Sequence, residues 1–296
     1  MQVAIIGLGL IGGSIARDLR AREFATRLVG VDARTDHASA ATELGLVDEV
    51  LALPQAVQQA DVVVLAVPVN ALQSLAPVVL DHLSQTGTAI DTGSTKTLIC
   101  KAVARHPKRD QFVAAHPIAG TENSGPTAAV SGLFLGKTNI ICEQEKSSAQ
   151  AIQTANALFD ALGMHTVFMQ PDEHDRHLAY VSHLSHVSSF LLGQTVLDME
   201  KDKKNIFMLA GSGFSSTVRL AKSSAETWAP IFEQNMEYLS QALQEYIIHL
   251  QRFQYHLMKR DTLELTNTMR QANEIRRVLE GLEAKAKPVA ETTKTH

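Results

Sequence analysis

Gln2-Val3-Ala4-Ile5-Ile6-Gly7-Leu8-Gly9-Leu10-Ile11-Gly12 begins as a short apolar run and ends in the pattern Gly-x-Gly-x-x-Gly. The run reads as a buried strand, and Leu10–Arg22 has the spacing of a helix. Between them, Gly7 allows a tight turn, Gly9 lets a pyrophosphate reach the backbone, and Gly12 permits close packing of helix on strand. The helix N-terminus at Leu10 and Ile11 then attracts the phosphates. Asp32 ends the second strand-like run, about 20 residues on, where a carboxylate accepts hydrogen bonds from ribose hydroxyls and repels a 2′-phosphate. The expected cofactor is therefore NAD. Arg34, two residues later, has the charge to reach a 2′-phosphate and leaves NADP open.

Further strand-like runs follow at Leu28–Val31, Asp61–Val67, Thr88–Asp91, Phe112–Ala115, Thr138–Cys142 and His165–Phe168, alternating with helical stretches such as Ser147–Leu162. This alternation predicts an α/β Rossmann-type dinucleotide-binding domain over residues 1–170. After Gln170-Pro171-Asp172 strand signals nearly vanish, so an all-α helical dimerisation domain is expected over 171–283. The remaining 284–296, rich in Lys and Thr without apolar periodicity, reads as a disordered tail. Phe232, Met236, Leu239, Leu243, Tyr246, Leu250, Phe253 and Leu257 recur at alternating spacings of four and three. A helix of that span is about 40 Å long, more than one small helical domain covers, so a homodimer is expected through it.

The composition narrows the function classes. A chain of 296 residues with 45 % apolar and 20 % charged residues and a net charge of −4 has no basic field for nucleic acid or anionic lipid, which favours a small-molecule substrate. No apolar run approaches the ~18 residues of a membrane span. Gln2 enters a strand with no leader-like segment before it. Cys100 and Cys142 have no metal-ligand spacing and form no disulfide framework, so no metal and a cytoplasmic location are expected.

The chemistry gathers in four segments. His116-Pro117-Ile118-Ala119-Gly120-Thr121-Glu122-Asn123-Ser124-Gly125 follows a strand-like run, and in an open parallel sheet ligands sit beyond the carboxyl ends of the strands. His116 is thus placed to move a proton. Ser94, in Asp91-Thr92-Gly93-Ser94-Thr95-Lys96, ends the preceding strand and reads either as a helix N-cap or as the hydrogen-bonding partner of His116. After Pro171 come His174, His177, His183 and His186. On one straight helix His174 and His186 lie about 120° apart, so the four do not share one metal ion. Asp175, Ala179, Ser182 and His186 fall within about 40° of one another on a helix apolar around most of its circumference, which predicts a polar stripe lining a cleft. By the same reading His174 and His177 are partly exposed residues without a role. Arg219, in a small polar segment, suits bidentate capture of a carboxylate, and Trp228 reads as core or as a wall of the same pocket.

Together these segments resemble the prephenate/arogenate dehydrogenase family of tyrosine biosynthesis, through GLGLIGGS, DTGSTK, HPIAGTENSG, HDRHLAYVSHLSH and GFSSTVRLAKSSAETW. The resemblance implies an NAD(P)-binding domain joined to a helical dimerisation domain, and oxidative decarboxylation of prephenate or arogenate. It implies that His116 takes the ring hydroxyl proton, assisted by Ser94, and that Arg219 anchors a substrate carboxylate. His186 and Ser182 would contact the substrate side chain, with Thr121, Glu122, Asp175 and Trp228 shaping or gating the pocket. His186 favours prephenate, because arogenate-selective members can lack that histidine. Where members often have a proline, this chain has Ser185. Two competing readings are a β-hydroxyacid dehydrogenase, whose Lys-x-x-x-Asn context Lys222 does not provide, and a non-catalytic dinucleotide sensor.

Overall fold

Val3–Ile6 and Val62–Leu65 carry only apolar side chains, and each is buried along its length, as strands covered on both faces must be. A computed structural model describes residues 1–202 and 206–286. Its strands are β1 (Gln2–Ile6), β2 (Arg27–Val31), β3 (Glu49–Val50), β4 (Val62–Leu65), β5 (Thr88–Asp91), β6 (Phe112–Pro117), β7 (Thr138–Cys142) and β8 (His165–Met169). They form one sheet in the order β3-β2-β1-β4-β5-β6-β7-β8. Every neighbouring pair is parallel except β6 and β7, which run antiparallel with His116 opposite Ile140. The expected strands are all present. The two-residue β3 and the reversal at β7 were not expected, since neither leaves a periodic signal.

Helices α1 (Leu10–Ala21), α2 (Thr35–Glu43), α3 (Leu53–Gln59), α4 (Val69–His82), α5 (Thr97–Val103) and α6 (Ala149–Ala161) cover the sheet. Strand residues alternate between two cores. Val3, Ile5, Val62 and Val64 pack with Ile15, Leu19, Leu158 and Phe159 on one face. Ala4, Ile6, Val63 and Leu65 pack with Val57, Leu72, Val79 and Ile99 on the other. The chain leaves β1 for β2 on one side and β4 for β5 on the other, which opens a crevice at the carboxyl ends of these central strands. There Gly7 has φ +94°, and a Cβ on it would lie 2.4 Å from the Ala66 carbonyl oxygen. The loop after His116 returns to α1: the Ser14 hydroxyl accepts from the Val130 N–H at 3.0 Å, and buried Asp18 accepts from the Ser131 hydroxyl at 2.8 Å and the Gly132 N–H at 2.9 Å.

The later helices are α7 (Pro171–Leu178), α8 (Leu184–Asp202), α9 (Ser212–Thr217), α10 (Ala225–Gln234), α11 (Met236–Met258), α12 (Thr262–Ala272) and α13 (Ile275–Ala286). Two compact units divide the chain, Met1–Leu239 and Ser240–His296, with the division inside α11. These helices depart from the expected pattern at three places. First, α7 and α8 are separated by a π-helical turn at Ala179–His183, which shifts the phase of every later side chain. Val181 is turned out and 75 % exposed, and Leu191 is exposed as well, so the helix is not buried all round. Second, the four-three apolar stripe is not one helix. Asn235 ends α10, its amide donating to the Asp175 carbonyl at 2.7 Å, so Phe232 belongs to a different helix from the rest. Third, α13 continues to Ala286, into the segment expected as a tail; the rest of that segment lies outside the described residues.

Candidate active site

Beneath the ends of β5 and β6 lies a charge pair shielded from water. Lys96 and Asp91 are both fully buried. The Lys96 ammonium donates to the Asp91 carboxylate and, at 2.7 Å, to the Ala115 carbonyl, the residue before His116. Asp91 also accepts from the Gly93 N–H at 2.7 Å. Burial pushes the Asp91 carboxyl up, and the Lys96 charge pulls against it. The pair ties β5 to β6 directly under the candidate base.

Asp175, on α7, faces this point. One of its oxygens accepts from the Lys96 N–H and the other from the Thr97 N–H, both at 2.8 Å, so it caps α5 from another helix. Asp175 is buried at 2 % exposure, which makes it a support behind the site and not a lining residue. Burial alone would raise its carboxyl; hydrogen bonds from His174 and Thr97 outweigh burial and hold it below its ordinary value. His174 Nδ1 lies 2.8 Å from Asp175 Oδ1, and His174 Nε2 lies 2.8 Å from His116 Nδ1. His174 is fully buried, which corrects its reading as a partly exposed residue without a role. The sequence placed it beside Asp175 but held no sign that it faces another strand's histidine.

His116 is 8 % exposed. Burial, then the neighbouring His174 ring and the Lys96 charge, hold it well below its ordinary value, so the ring is neutral near pH 7. A neutral imidazole is a base. Ser94 is half-buried at the end of β5 and makes no hydrogen bond to His116; the ring's Nδ1 faces His174 instead. Nor does Ser94 cap α5, a task that falls to Asp175.

Other expected residues meet in pairs. The Arg219 guanidinium lies 3.3 Å from the Glu122 carboxylate, bringing together residues 97 positions apart; Arg219 is exposed and Glu122 less so. Thr121 is exposed, and its hydroxyl accepts from the Asn123 N–H at 3.2 Å. His186 stacks on Trp228 with ring centroids 3.4 Å apart and an interplanar angle of 23°. His186 Nδ1 donates to the Ser182 carbonyl at 3.0 Å, which leaves its Nε2 as the acceptor. Burial, with Arg219 adding to it, lowers the His186 ring below its ordinary value.

His183, buried at 1 % exposure, receives the Asn235 amide on Nδ1 at 3.0 Å and meets Trp228 edge-on. Burial lowers His183 to about 4. Between that value and the ordinary histidine range near 6.5 the unfolded chain binds a proton that the folded chain refuses, so stability falls as pH drops through this window. The full loss is roughly 3 kcal/mol. Urea unfolding at pH 7 and pH 4.5 checks this, and His183→Gln is expected to flatten the difference.

At the other end of the crevice a Cβ on Gly12 would lie 2.0 Å from the Gly7 carbonyl oxygen, whereas one on Gly9 would meet nothing within 4 Å. Gly9 precedes α1, whose first turn has no side-chain cap. An open, uncapped helix start fits a pyrophosphate, with Leu10 and Ile11 supplying N–H groups. Asp32 accepts from the Leu8 N–H at 2.8 Å and the Arg34 N–H at 2.9 Å, fixing the carboxylate beyond β2. His37, unremarked in the sequence, lies 3.7 Å from it. The Arg34 guanidinium is paired with Asp36 at 2.6 Å in the open. Among the described residues no group of His, Cys, Asp and Glu side chains is placed to hold a metal.

Comparison with known proteins bears on this arrangement. The model described as "Prephenate dehydrogenase, nucleotide-binding domain" matches residues 15–168, and "Prephenate dehydrogenase, dimerization domain" matches 170–271. Prephenate dehydrogenase of Bacillus subtilis (strain 168) is 30 % identical over 281 residues, 93 % of this chain and 75 % of that protein. Cyclohexadienyl dehydrogenase of Zymomonas mobilis is 32 % identical over 262 residues, 88 % of this chain and 89 % of that protein. Among solved structures, prephenate dehydrogenase from Aquifex aeolicus in complex with hydroxyphenyl propionate and NAD+ has a TM-score of 0.86 at 29 % identity, over 94 % of this chain and 98 % of that one.

Proposed function

Because the chain belongs to the prephenate dehydrogenase family, we propose that it catalyses the oxidative decarboxylation of prephenate to 4-hydroxyphenylpyruvate, with hydride passing to NAD. The observation that carries this reading is His116: a neutral imidazole at the carboxyl end of β6, in the same sheet as the glycine cradle after β1. NAD, when bound, supplies the hydride acceptor. Gly7, Gly9, Leu10, Ile11 and Gly12 would hold its pyrophosphate and Asp32 its ribose. With Arg34 turned to Asp36, these residues support NAD over NADP.

The protein's own part is orientation and proton transfer. His116 accepts the proton of the ring hydroxyl, a carbonyl forms at that carbon as hydride leaves, and the C–C bond to the ring carboxylate breaks to release CO2. The product is a phenol, so the same oxygen must regain a proton, and His116 is placed to return it. Ser94, half-buried at the end of β5, would assist at that hydroxyl. Arg219 would anchor a substrate carboxylate, with Glu122 as the partner it exchanges for that group. His186, stacked on Trp228, and Ser182 would contact the substrate side chain, with Thr121 at the rim. Arg219→Gln is expected to raise KM for prephenate about 10-fold, the value of a charge-assisted hydrogen bond, with a smaller change in kcat; initial rates over a prephenate series check it.

The deciding experiment supplies purified protein with NAD and prephenate, and in parallel with arogenate and with NADP. Formation of NADH and 4-hydroxyphenylpyruvate is expected. No turnover of either substrate across pH 6 to 9 would sink the assignment.

The two matched models, which meet between residues 168 and 170, support a cofactor-binding part over 1–170 and a substrate and dimerisation part over 171–283. In the second, Tyr246, Leu250, Phe253 and Leu257 on α11 are exposed apolar side chains, which supports a homodimer. Light scattering is expected to give twice the chain mass of 32.2 kDa; a monomer at micromolar protein would overturn the dimer. Two free, buried cysteines support a cytoplasmic setting, and among the described residues no helix is long and apolar enough to cross a membrane.

A further inference from the structure

An ionised carboxylate accepts hydrogen bonds and donates none. Asp175 receives three donors, the N–H groups of Lys96 and Thr97 and the His174 ring, an environment that keeps it ionised. The proton between Asp175 and His174 therefore resides on His174 Nδ1. A neutral imidazole with its proton on Nδ1 presents a bare Nε2, and this nitrogen lies 2.8 Å from His116 Nδ1. Two bare nitrogens at that distance repel, so His116 Nδ1 carries the proton and His116 Nε2 has the free lone pair. His116 Nε2 has no hydrogen-bond partner among the described residues, yet it is not one of the buried unpartnered atoms, so it opens to solvent.

We propose that His174 and Asp175 are positioning residues that lock His116 in its Nδ1–H tautomer, so that Nε2 is its proton-accepting atom. The assignment of that accepted proton to a substrate hydroxyl rests on the dehydrogenase reading; the tautomer does not. The relay is anchored at its far end. Asp175 caps α5, and the Asn235 amide donates to the Asp175 backbone carbonyl at 2.7 Å. Both other members of the relay thus come from α7, and the proton on the strand histidine is set by a carboxylate two links away. A proton arriving at Nε2 creates a cation that the Asp175 charge stabilises through His174. The Lys96 ammonium opposes that charge from its own element and Asp91 offsets Lys96, while His183, held neutral near pH 7 by burial, adds no charge of its own.

The test is made on the full chain with nitrogen-15 histidine labelling and long-range proton–nitrogen correlation near pH 7.5, which reads the protonated nitrogen of each ring directly. His116 is expected to show a protonated Nδ1 and a bare Nε2. Asp175 Oδ1 accepts from both the Lys96 N–H and the His174 ring, so an asparagine oxygen in its place would keep the tautomer. Asp175→Leu removes the acceptor, and His116 is expected to lose its fixed Nδ1–H pattern and show both ring nitrogens partly protonated. With prephenate, kcat of this variant is expected to fall about 10²-fold or more while KM for prephenate and affinity for NAD stay near wild type, by analogy with carboxylates that set a catalytic histidine's tautomer elsewhere. His174→Gln, whose amide oxygen can accept from His116 while its N–H donates to Asp175, is expected to keep the Nδ1–H tautomer and most of the rate that His174→Leu loses. A wild-type His116 protonated on Nε2, or a folded Asp175→Leu protein with unchanged ring nitrogens, would overturn the proposal. Loss of the fixed tautomer in Asp175→Leu, with the wild type turning over neither prephenate nor arogenate, would support the relay and remove the dehydrogenase reading alone.

Discussion

Replacing His116 with asparagine is expected to lower kcat for prephenate oxidation by about 10²- to 10⁴-fold, the range over which a positioned base acts, while leaving the affinity for NAD unchanged. Asparagine keeps a polar side chain of similar reach on β6 but has no nitrogen that takes up a proton near neutral pH. The cofactor cradle lies after β1, held by Gly7, Gly12 and the Asp32 contacts, none of which involves His116. Stopped-flow traces of NADH formation report the rate, and calorimetric titration with NAD reports the affinity. A kcat within threefold of wild type would remove His116 from the role of base. The pH profile carries the same information with a definite sign. His116 works when neutral and its folded value lies below the ordinary one near 6.5, so kcat/KM is expected to hold through neutral pH and to fall only on the acid side, below pH 6.5.

The second large effect concerns stability. Lys96→Met removes the cation from a site where Asp91 is fully buried, and breaking a buried pair by deleting one partner costs about 3–5 kcal/mol. Asp91 keeps its bond from the Gly93 N–H, but nothing else of opposite charge reaches it within the described residues. Without Lys96 the Asp91 carboxyl rises further, so the folded state binds a proton that the unfolded state releases. The variant is therefore expected to regain stability as pH falls, opposite to the trend from His183. Urea unfolding of Lys96→Met and of Asp91→Asn/Lys96→Met checks both statements. If the double variant is no more stable than the single one, the cost lies in packing and not in the stranded charge.

How far the sequence reaches depends on the range of the interaction. The run Gln2–Ile6 with its glycines dictates a strand, a turn and a helix within eleven residues, because burial and φ are local constraints. His116 was legible for the same reason: the end of a short apolar run in a parallel sheet has a known address. Glu122, Arg219, His186 and Trp228 were each singled out in the sequence, but their pairing as Glu122 with Arg219 and His186 with Trp228 was not. His174 was misplaced because its role needs three elements at once, β6, α7 and the start of α5, and helical phase alone describes one. The π-helical turn at Ala179–His183 defeated the same phase argument from the other side: a single extra residue in one turn changes which side chains face inward, and Asn235, 52 positions after His183, is what holds that turn's histidine. Lys96 and Asp91 stood in plain view in one short motif, but an isolated lysine in a sequence is far more often solvated than buried.

The hold of Ser14 and Asp18 on residues 130–132 gives the loop after His116 two fixed ends, one on β6 and one on the helix that starts at the cofactor cradle. What lies between is not free to vary: Pro126 is buried, Ala129 packs into the core that Ile15 and Leu19 share, and Glu122 meets Arg219. A change at Asp18 would therefore be felt on both sides of the reaction, since the residue that releases this loop also sits on the helix against which the cofactor would rest.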